Sequence, residues 1–425
     1  MKTNQKYAAT SVAPPQANLE ERKNEVKSPT NHTVQNSGVR ESLLALPSFV
    51  QPLLTWVTGK PPYGARSKHT PSNWFHLVSA LAALFGGAFA SWVVVSMQIT
   101  AILAVPILLL AWMVTVSGAR KLLIMISHQC VHGKFSGNKV LDRIVMELVS
   151  TTILVQDFQA YQADHVSIHH SKQLATLEDP DVKFLVTLGF LPGLQKAALW
   201  RRLWWTVVSP RFHRIFLQAR LKANFISAPS YRRFMSLVWW TAQLSLVSWL
   251  GLWSEYAIAW VFPLTILYHI SALLQFTCEH RWLQIRDPKQ SGRWVLARLT
   301  AGRFMGEPAP DQGWHGAKKV VAWLTWFGRM LFLHLPARVF VLMGDLPQHD
   351  HHHRHPESLT WVNAAYARQE DLEAGSPGWP EPYSEVWGLG NAIDHVFEVL
   401  SSLPPIDNKS SLATNADLAD VMNGM

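Results

Sequence analysis

The sequence predicts an all-α integral membrane protein with four transmembrane helices arranged as two hairpins. Three observations support this prediction: an apolar composition, long apolar runs that occur in two pairs, and positive charges that lie outside these runs. Of the 425 residues, 48% are hydrophobic, only 16% are charged, and 20 are tryptophan. This balance is too apolar for a typical soluble enzyme of this length, so it favours a chain embedded in a bilayer.

The first pair of apolar runs covers residues 74–95 and 99–116, and neither contains Lys, Arg, Asp or Glu. Each is close to the roughly 20 residues that a helix needs to cross about 30 Å of hydrocarbon. The connector at 96–100 has no positive charge, whereas Arg120 and Lys121 follow the second run. The two runs therefore predict a helical hairpin.

The second pair covers residues 236–253 and 256–276, and its short connector is again free of Lys and Arg. The long segment between the two pairs, 118–235, is rich in both residues. Positive loops stay on the cytoplasmic side of a membrane. We therefore expect this segment, both termini and the C-terminal third in the cytoplasm, in a multi-pass protein of a bacterial inner membrane.

The remaining segments divide into interfacial and mobile parts. Residues 184–208 and 320–343 mix apolar and charged side chains, which favours helices lying in the membrane interface. Residues 1–45 are polar and without periodicity, which predicts a disordered tail. Residues 405–425 predict a flexible C-terminal tail. The membrane domain then covers about 70–370.

Charge and cysteine content narrow the possible functions. The net charge is +9, but Lys and Arg are spread between apolar segments and form no basic block, so nucleic-acid binding is not expected. The two cysteines, Cys130 and Cys278, provide neither a disulfide framework nor a zinc-binding pair.

Three histidine clusters are candidate metal-binding sites. Imidazole is a common ligand of iron, zinc and copper, and two histidines four residues apart lie on one face of a helix. The sequences SHQCVH, DHVSIHH and HDHHH contain such pairs and doublets. Their candidate ligands are His128, His132, His165, His169, His170, His349, His352 and His353.

Two adjacent histidines on a helix point about 100° apart, so each doublet is suited to binding two different metal ions. The doublets His169–His170 and His352–His353 therefore predict a dinuclear centre. A histidine-rich run can also be a solvated tract. In the third cluster, His351 or His355 remains an alternative ligand.

The pattern HxxxH, HxxxHH and HxxHH around two helix pairs resembles the integral-membrane fatty acid desaturase and hydroxylase superfamily, over about residues 70–370. The resemblance implies a cytoplasmic helical cap that holds two iron ions. It also implies O₂ as co-substrate and two electrons from outside. A further ligand is implied after the fourth membrane helix, where His280 is the candidate and His269 the rival. The stretch at 285–345 is long for this superfamily.

Carboxylates near these clusters are candidates to accept the second N–H of the ligating imidazoles. EDPD at 178–181 is similar to an acidic turn that follows the second cluster in the superfamily, although a helix-capping turn is the alternative. The candidates are Asp157, Asp164, Glu178, Asp179 and Asp350, with Asp181 and Glu279 in addition.

The resemblance favours a fatty acid desaturase, with lipid or alkane hydroxylation and carotenoid ketolation as alternatives. A metal transporter or sensor with histidine-rich cytoplasmic loops is the alternative from another class. A transporter needs ionisable residues along its membrane helices, and the predicted runs offer little beyond His269.

The expected partners are the lipid bilayer, a fatty acyl substrate and a separate electron-transfer protein of the ferredoxin, rubredoxin or cytochrome type. The basic residues Arg201, Arg202, Arg232 and Arg233 are candidates for docking an acidic donor. Solvated or lipid-facing charge is the alternative interpretation of these arginines.

Overall fold

The computed structural model describes residues 38–171, 173–283 and 292–405, and this part of the chain is mostly helical. The predicted tails at 1–45 and 405–425 therefore lie largely outside the described residues. Residues 38–45 are described, and they begin with helix α1 (Gly38–Ser42), in which Val39 is buried. The described structure thus starts inside the segment that we predicted to be a disordered tail.

The next elements form the first helix pair and lead into the first histidine cluster. They are α2 (Gln51–Thr58), α3 (Asn73–Ser96), α4 (Ala101–Lys121) and α5 (His128–Val131). A π-helical segment, Leu122–Ser127, joins α4 to α5 and makes them one continuous helix. The helices α3 and α4 pack closely at Gly118, where an added Cβ would lie 2.3 Å from the backbone nitrogen of Leu84.

The middle of the chain contains the second cluster and a series of helices. They are α6 (Lys139–Ile153), α7 (Phe158–Gln162), α8 (Pro180–Thr187), α9 (Lys196–Val207), α10 (Pro210–Phe225), α11 (Ser230–Leu250), α12 (Trp253–Tyr256) and α13 (Tyr268–Glu279). A π-helical segment, Ala163–His169, follows α7 and contains most of the second cluster. Two more such segments, Ala257–Val261 and Pro263–Leu267, join α12 to α13.

The C-terminal third adds helices and a small parallel sheet. Its elements are α14 (Gly292–Leu299), β1 (Gly302–Phe304), α15 (Gly316–Arg329), α16 (Leu335–Phe340), α17 (His349–Arg354), α18 (Ala364–Glu373), β2 (Glu385–Trp387) and α19 (Leu389–Ser402). Strands β1 and β2 are parallel, with Gly302 opposite Glu385. The π-helical segment Met330–His334 joins α15 to α16.

The long stretch at 285–345 braces the end of α13. Arg303, on β1, is 1% exposed and donates hydrogen bonds to the carbonyl oxygens of Cys278 (2.6 Å) and Glu279 (3.4 Å). These carbonyls belong to the last turn of α13, directly before His280. The insertion therefore fixes the position of a candidate metal ligand.

Four helices within the described residues are long and apolar enough to cross a membrane: Asn73–Ser96, Ala101–Val131, Trp253–Glu279 and Gly316–Phe340. The number agrees with the prediction, but one member differs. The predicted crossing at 236–253 lies in α11, where Arg232 and Arg233 and several polar side chains lower the hydropathy. Gly316–Phe340 is long and apolar enough instead, and it overlaps the segment 320–343 that we predicted to be interfacial.

One predicted docking residue is not available to a partner. Arg232 is 0% exposed, and its guanidinium binds Glu147 Oε2 at 2.7 Å and Asn224 Oδ1 at 2.7 Å. It ties together α6, α10 and α11, so the prediction that Arg232 docks an electron donor is wrong. The other three arginines, Arg201, Arg202 and Arg233, are exposed.

Candidate metal centre

The first group of imidazoles comes from all three clusters. Its members are His128, His132, His165, His170 and His352. Each ring contributes one nitrogen, and these five nitrogens all lie within 4.8 Å of one another. The Nε2 atom of His352 lies 2.9 Å from that of His128 and 3.1 Å from that of His170. The Nε2 atoms of His170 and His165 are also 3.1 Å apart. These rings surround one common point.

The second group is fully buried and includes the histidine that follows α13. Its members are His169, His280, His349 and His353, and their ligand atoms satisfy the same 4.8 Å limit. The Nε2 atoms of His280 and His169 lie 3.2 Å apart, and those of His353 and His349 lie 3.1 Å apart. His280, the candidate that the resemblance implied after the fourth membrane helix, thus lies among histidines of the second and third clusters.

Each histidine doublet is divided between the two groups. His170 belongs to the first group and His169 to the second, and His352 and His353 divide in the same way. This is the arrangement expected when adjacent side chains on a helix diverge by about 100°. All nine histidines predicted as ligands fall in one group or the other.

The spacing within each group fits a single metal ion. Imidazole nitrogens bind zinc-like ions at about 2.1 Å, so neighbouring ligands lie about 3.0 Å apart in right-angled geometry and about 3.4 Å apart in tetrahedral geometry. The closest Nε2 pairs here are 2.9–3.2 Å apart. The Nε2 atom of His132 is buried and has no hydrogen-bond partner among the described residues. A bound ion would satisfy it.

Burial keeps most of the candidate ligands neutral, as metal binding requires. Removal from solvent lowers the pKa of His132 to about 4. Burial, and next the neighbouring imidazoles, also lowers the pKa values of six further candidates outside the membrane spans, which are His165, His170, His280, His349, His352 and His353.

His169 is the exception, because it faces two carboxylates. Burial would lower its pKa, but Asp179 and then Asp181 raise it to about 9. The Nδ1 atom of His169 lies 3.2 Å from an oxygen of each carboxylate. Asp179 itself accepts hydrogen bonds from the backbone N–H groups of Ala175 and Asp181. Donation from Nδ1 leaves Nε2 directed at His280, which is the orientation a ligand needs.

The other carboxylate candidates occupy different environments. Asp157 caps α7, Glu178 is exposed, and Asp350 binds Arg368 at 2.8 Å. Asp164 accepts from Gln156 at 3.5 Å, and burial raises its pKa to about 6. Their described contacts therefore lie away from the ligating rings.

Glu279 lies closer to the centre than these four. Its Oε1 is 3.0 Å from Nε2 of His349. Glu279 also accepts a hydrogen bond from Gln275 (3.0 Å), which in turn accepts from Arg120. These three residues line a cavity of about 70 Å³ that also contacts histidines of both groups. Two features of the sequence pointed to these residues: Arg120 follows an apolar run, and Glu279 directly precedes His280.

The alternative ligands lie elsewhere. His269 contacts Arg220 at 3.1 Å and stacks on Phe216. His351 and His355 form a separate group with Asp371, in which Nε2 of His355 lies 3.1 Å from Oδ2 of Asp371. The structure therefore gives neither His351 nor His355 a place in the two main groups.

Comparison with known protein families adds independent information. The model of the family described as fatty acid desaturase matches residues 100–315, just over half of the chain. The chain belongs to the fatty acid desaturase family. It is therefore a membrane oxidoreductase of the desaturase and hydroxylase superfamily, whose members typically depend on iron. No curated protein and no solved structure matches the chain significantly.

The family match ends before the third histidine cluster. His349, His352 and His353 lie beyond residue 315. The fold nevertheless brings them against the first two clusters of this desaturase-family protein. The complete candidate centre is thus visible in three dimensions although only part of it lies in the matched region.

Proposed function

We propose that this desaturase-family protein is an O₂-dependent di-iron oxidoreductase that introduces a double bond into a fatty acyl chain. The observation that supports the proposal best is the division of nine imidazoles into groups of five and four, with each doublet shared between them. Imidazole shells of this kind suit iron as well as zinc or copper, and the family typically depends on iron.

In this proposal the residues position two iron ions and keep water away from them. Iron bound in the two groups would supply the activation of O₂. Overall, two hydrogens leave adjacent carbons of the acyl chain, and O₂ is reduced to two molecules of water by these hydrogens together with two electrons and two protons from a donor. The second group is buried, which protects the reacting carbon from solvent.

The positions of the histidines also support the predicted topology. His132 and His280 directly follow two candidate spans, Ala101–Val131 and Trp253–Glu279, and both rings lie in the same centre. A span that ends on that side must begin on the other side. The chain between His132 and Trp253 therefore has to cross the membrane, and α11 is its longest apolar helix.

The same argument applies to the fourth candidate span. Gly316–Phe340 begins after His280 and ends before His349, and these two rings lie in one group. A single crossing between them would put them on opposite sides of the membrane. We therefore propose that α11 completes the second hairpin, that Gly316–Phe340 lies in the interface, and that the centre faces the cytoplasm.

Hydroxylation of a lipid is a second candidate, favoured by the polar lining next to the centre. Arg120, Tyr161, Asp181 and Gln275 line the small cavity that reaches the histidines. A purely hydrocarbon substrate would not need such groups, whereas a hydroxyl group would find hydrogen-bond partners there.

A separate electron donor completes the proposal. Three exposed arginines, Arg201, Arg202 and Arg233, remain available to dock an acidic ferredoxin, rubredoxin or cytochrome. Surface charge of this kind mainly affects the rate of association, so its contribution should weaken at high salt.

Mass spectrometry of lipids from cells that express the protein tests the function. Desaturation predicts products that have lost two hydrogens, and hydroxylation predicts products that have gained one oxygen. Cells that express His170→Ala should lack both products. Unaltered lipids in cells that make metal-loaded protein and a suitable electron donor would contradict both candidates and favour a metal sensor.

A further inference from the structure

A second, larger cavity lies beside the first helix pair and shares no lining residue with the small cavity beside the centre. Its volume is about 560 Å³, and its walls come from α2, α3, α4, α16 and the segments at 343–348 and 361–366. This volume is within the range of about 300–1,000 Å³ that is usual for sites of small ligands. The proposed function does not use this cavity.

Two cations line the cavity, and both are held by neutral partners. The ammonium group of Lys121 donates a hydrogen bond to Ser79 Oγ at 2.8 Å. The guanidinium of Arg338 binds the backbone carbonyls of Trp56 (2.9 Å), Leu342 and Gly344 (2.9 Å). These contacts satisfy hydrogen bonds without neutralising charge.

The carboxylate lining this cavity does not balance both cations. Asp345 is in the wall and lies close enough to interact electrostatically with Lys121 and Arg338, but the described residues show no direct ion pair between it and either cation. Even with Asp345 ionised, the lining carries an excess of positive charge. Lys121 also has two further N–H donors beyond the one given to Ser79. The site is therefore suited to an anion.

The position of Lys121 along its helix indicates which anion. From Ala101 to Lys121 the helix rises about 30 Å, which is the thickness of the hydrocarbon core. Lys121 therefore lies at the level of the lipid phosphates of one leaflet. Trp56 and Trp361, which also line the cavity, suit the same interfacial level.

The π-helical segment after α4 separates this cavity from the metal centre. In an uninterrupted α-helix, Lys121 and His128 are seven residues apart and would share a face. The wider turns of Leu122–Ser127 rotate them apart, so Lys121 and Met125 line the cavity while His128 faces His352. One helix thus serves two different sites.

A third, small cavity shares lining residues with both the large cavity and the metal centre. This cavity has a volume of about 20 Å³. Its lining includes Asp345, Gln348 and Trp361, which also line the large cavity, and it contacts His352. Such a volume holds about one water molecule. An acyl chain in the large cavity is therefore separated from the candidate ligands, and its site is distinct from the reaction site.

We propose that the large cavity binds an anionic glycerophospholipid, with its phosphate at Lys121 and one acyl chain along α3 and α4. The apolar wall formed by Ala83 and Val114 provides the surface for the chain. Basic pockets between membrane helices commonly bind anionic lipid headgroups.

Native mass spectrometry of the detergent-purified protein tests the proposal, with phosphatidylglycerol and phosphatidylcholine added separately. The wild-type protein should retain one phosphatidylglycerol in preference to phosphatidylcholine. Lys121→Met should weaken retention of phosphatidylglycerol about tenfold or more, because a charge-assisted contact is lost. Lys121→Arg should retain it, and Arg201→Met, which removes an exposed cation elsewhere, should leave it unchanged.

A cavity-filling variant tests whether the lipid occupies the cavity itself. Ser117→Phe should lower retention of both lipids, because Ser117 lines the cavity. Metal content comparable to that of the wild type verifies that each variant is folded. Equal retention of both lipids by the wild-type protein, or full retention by Lys121→Met, would overturn the proposal. Displacement of the lipid by millimolar inorganic phosphate would show a site for a free anion and would also overturn it.

Discussion

The Nδ1 atom of His169 lies 3.2 Å from Oδ2 of Asp179, and Asp179 is fully buried at the start of α8. The carboxylate thereby performs two tasks. It caps a helix, and it holds the imidazole so that Nε2 points at the second group of histidines.

We predict that Asp179→Asn lowers metal affinity about 10–100-fold, as is typical when the partner of a ligating histidine is changed. Asparagine keeps the cap but removes the charge beside His169. Metal content by mass spectrometry after dialysis against a chelator measures the effect. The matched control is Asp157→Asn, since Asp157 caps α7 in the same way. Equal metal loss in both variants would contradict a specific role for Asp179.

Replacing one member of a doublet should affect one metal ion first. His170→Ala removes a ligand of the first group, and His169→Ala removes one of the second. Each variant should lose about half of the bound metal and all product formation. His351→Ala, which changes a histidine between the ligands of α17 but outside both groups, should keep two ions per chain. The prediction fails if His351→Ala loses as much metal as His170→Ala.

The helix that carries the third cluster is anchored by a buried ion-pair network. Arg368 binds Asp350 at 2.8 Å and Glu385 at 3.2 Å, and Lys60 binds Glu385 at 2.6 Å. Arg368→Met leaves the buried Asp350 with the backbone N–H of His351 but without its charged partner, which typically costs about 3–5 kcal/mol. We expect a lower melting temperature and weaker metal binding, measured by scanning calorimetry and metal analysis.

A surface pair provides the comparison for this network. Arg298 and Glu381 form a partly exposed ion pair at 3.3 Å. Arg298→Met should change stability by only about 0–1 kcal/mol. Adding Asp350→Asn to Arg368→Met should recover part of the loss, because the uncompensated charge disappears. No recovery would indicate that Arg368 acts through packing rather than charge.

The sequence indicated which histidines the fold groups together because their spacing is local. Doublets and i, i+4 pairs are visible as letters, and helical geometry alone predicts that His169 and His170 serve different ions. The anchoring residues were not predictable in the same way. Arg303 and Arg368 act through the fold, since their partners lie 25 and 18 residues away in the chain. Arg232 was predicted on the surface because a sequence does not show that Glu147 is opposite it.

Hydropathy alone also could not assign every crossing. Polar and tryptophan side chains lower the hydropathy of α11, although the proposed topology needs α11 as a second crossing, besides Trp253–Glu279, to keep His132 and His280 on one side of the membrane. Cysteine labelling with a membrane-impermeant maleimide tests this topology. Cys130 and Cys278 are buried, so they give little background. Gly313→Cys and Glu357→Cys should react from one side and Ser254→Cys from the other. Reaction of positions 313 and 357 from opposite sides would make Gly316–Phe340 a true crossing.

The centre should be sensitive to acid. Burial lowers the pKa of His132 to about 4, whereas an unfolded histidine titrates near about 6.5. Between these values the unfolded chain binds more protons than the native chain, so the stability of the metal-stripped protein falls as pH falls through this window. His170 and His352, whose pKa values burial also lowers, add to the same trend.

His169 contributes with the opposite sign. Its pKa is raised to about 9, since the carboxylates of Asp179, Asp181 and Glu279 together outweigh burial, so its contribution is complete below about pH 6.5 and is lost as pH rises towards 9. Melting temperatures of the metal-stripped protein should therefore be highest near neutral pH. In His132→Gln the acid slope should become shallower by up to about 1.4 kcal/mol per pH unit. A melting temperature that does not change between pH 7 and pH 4 would show that these imidazoles are not held neutral by burial.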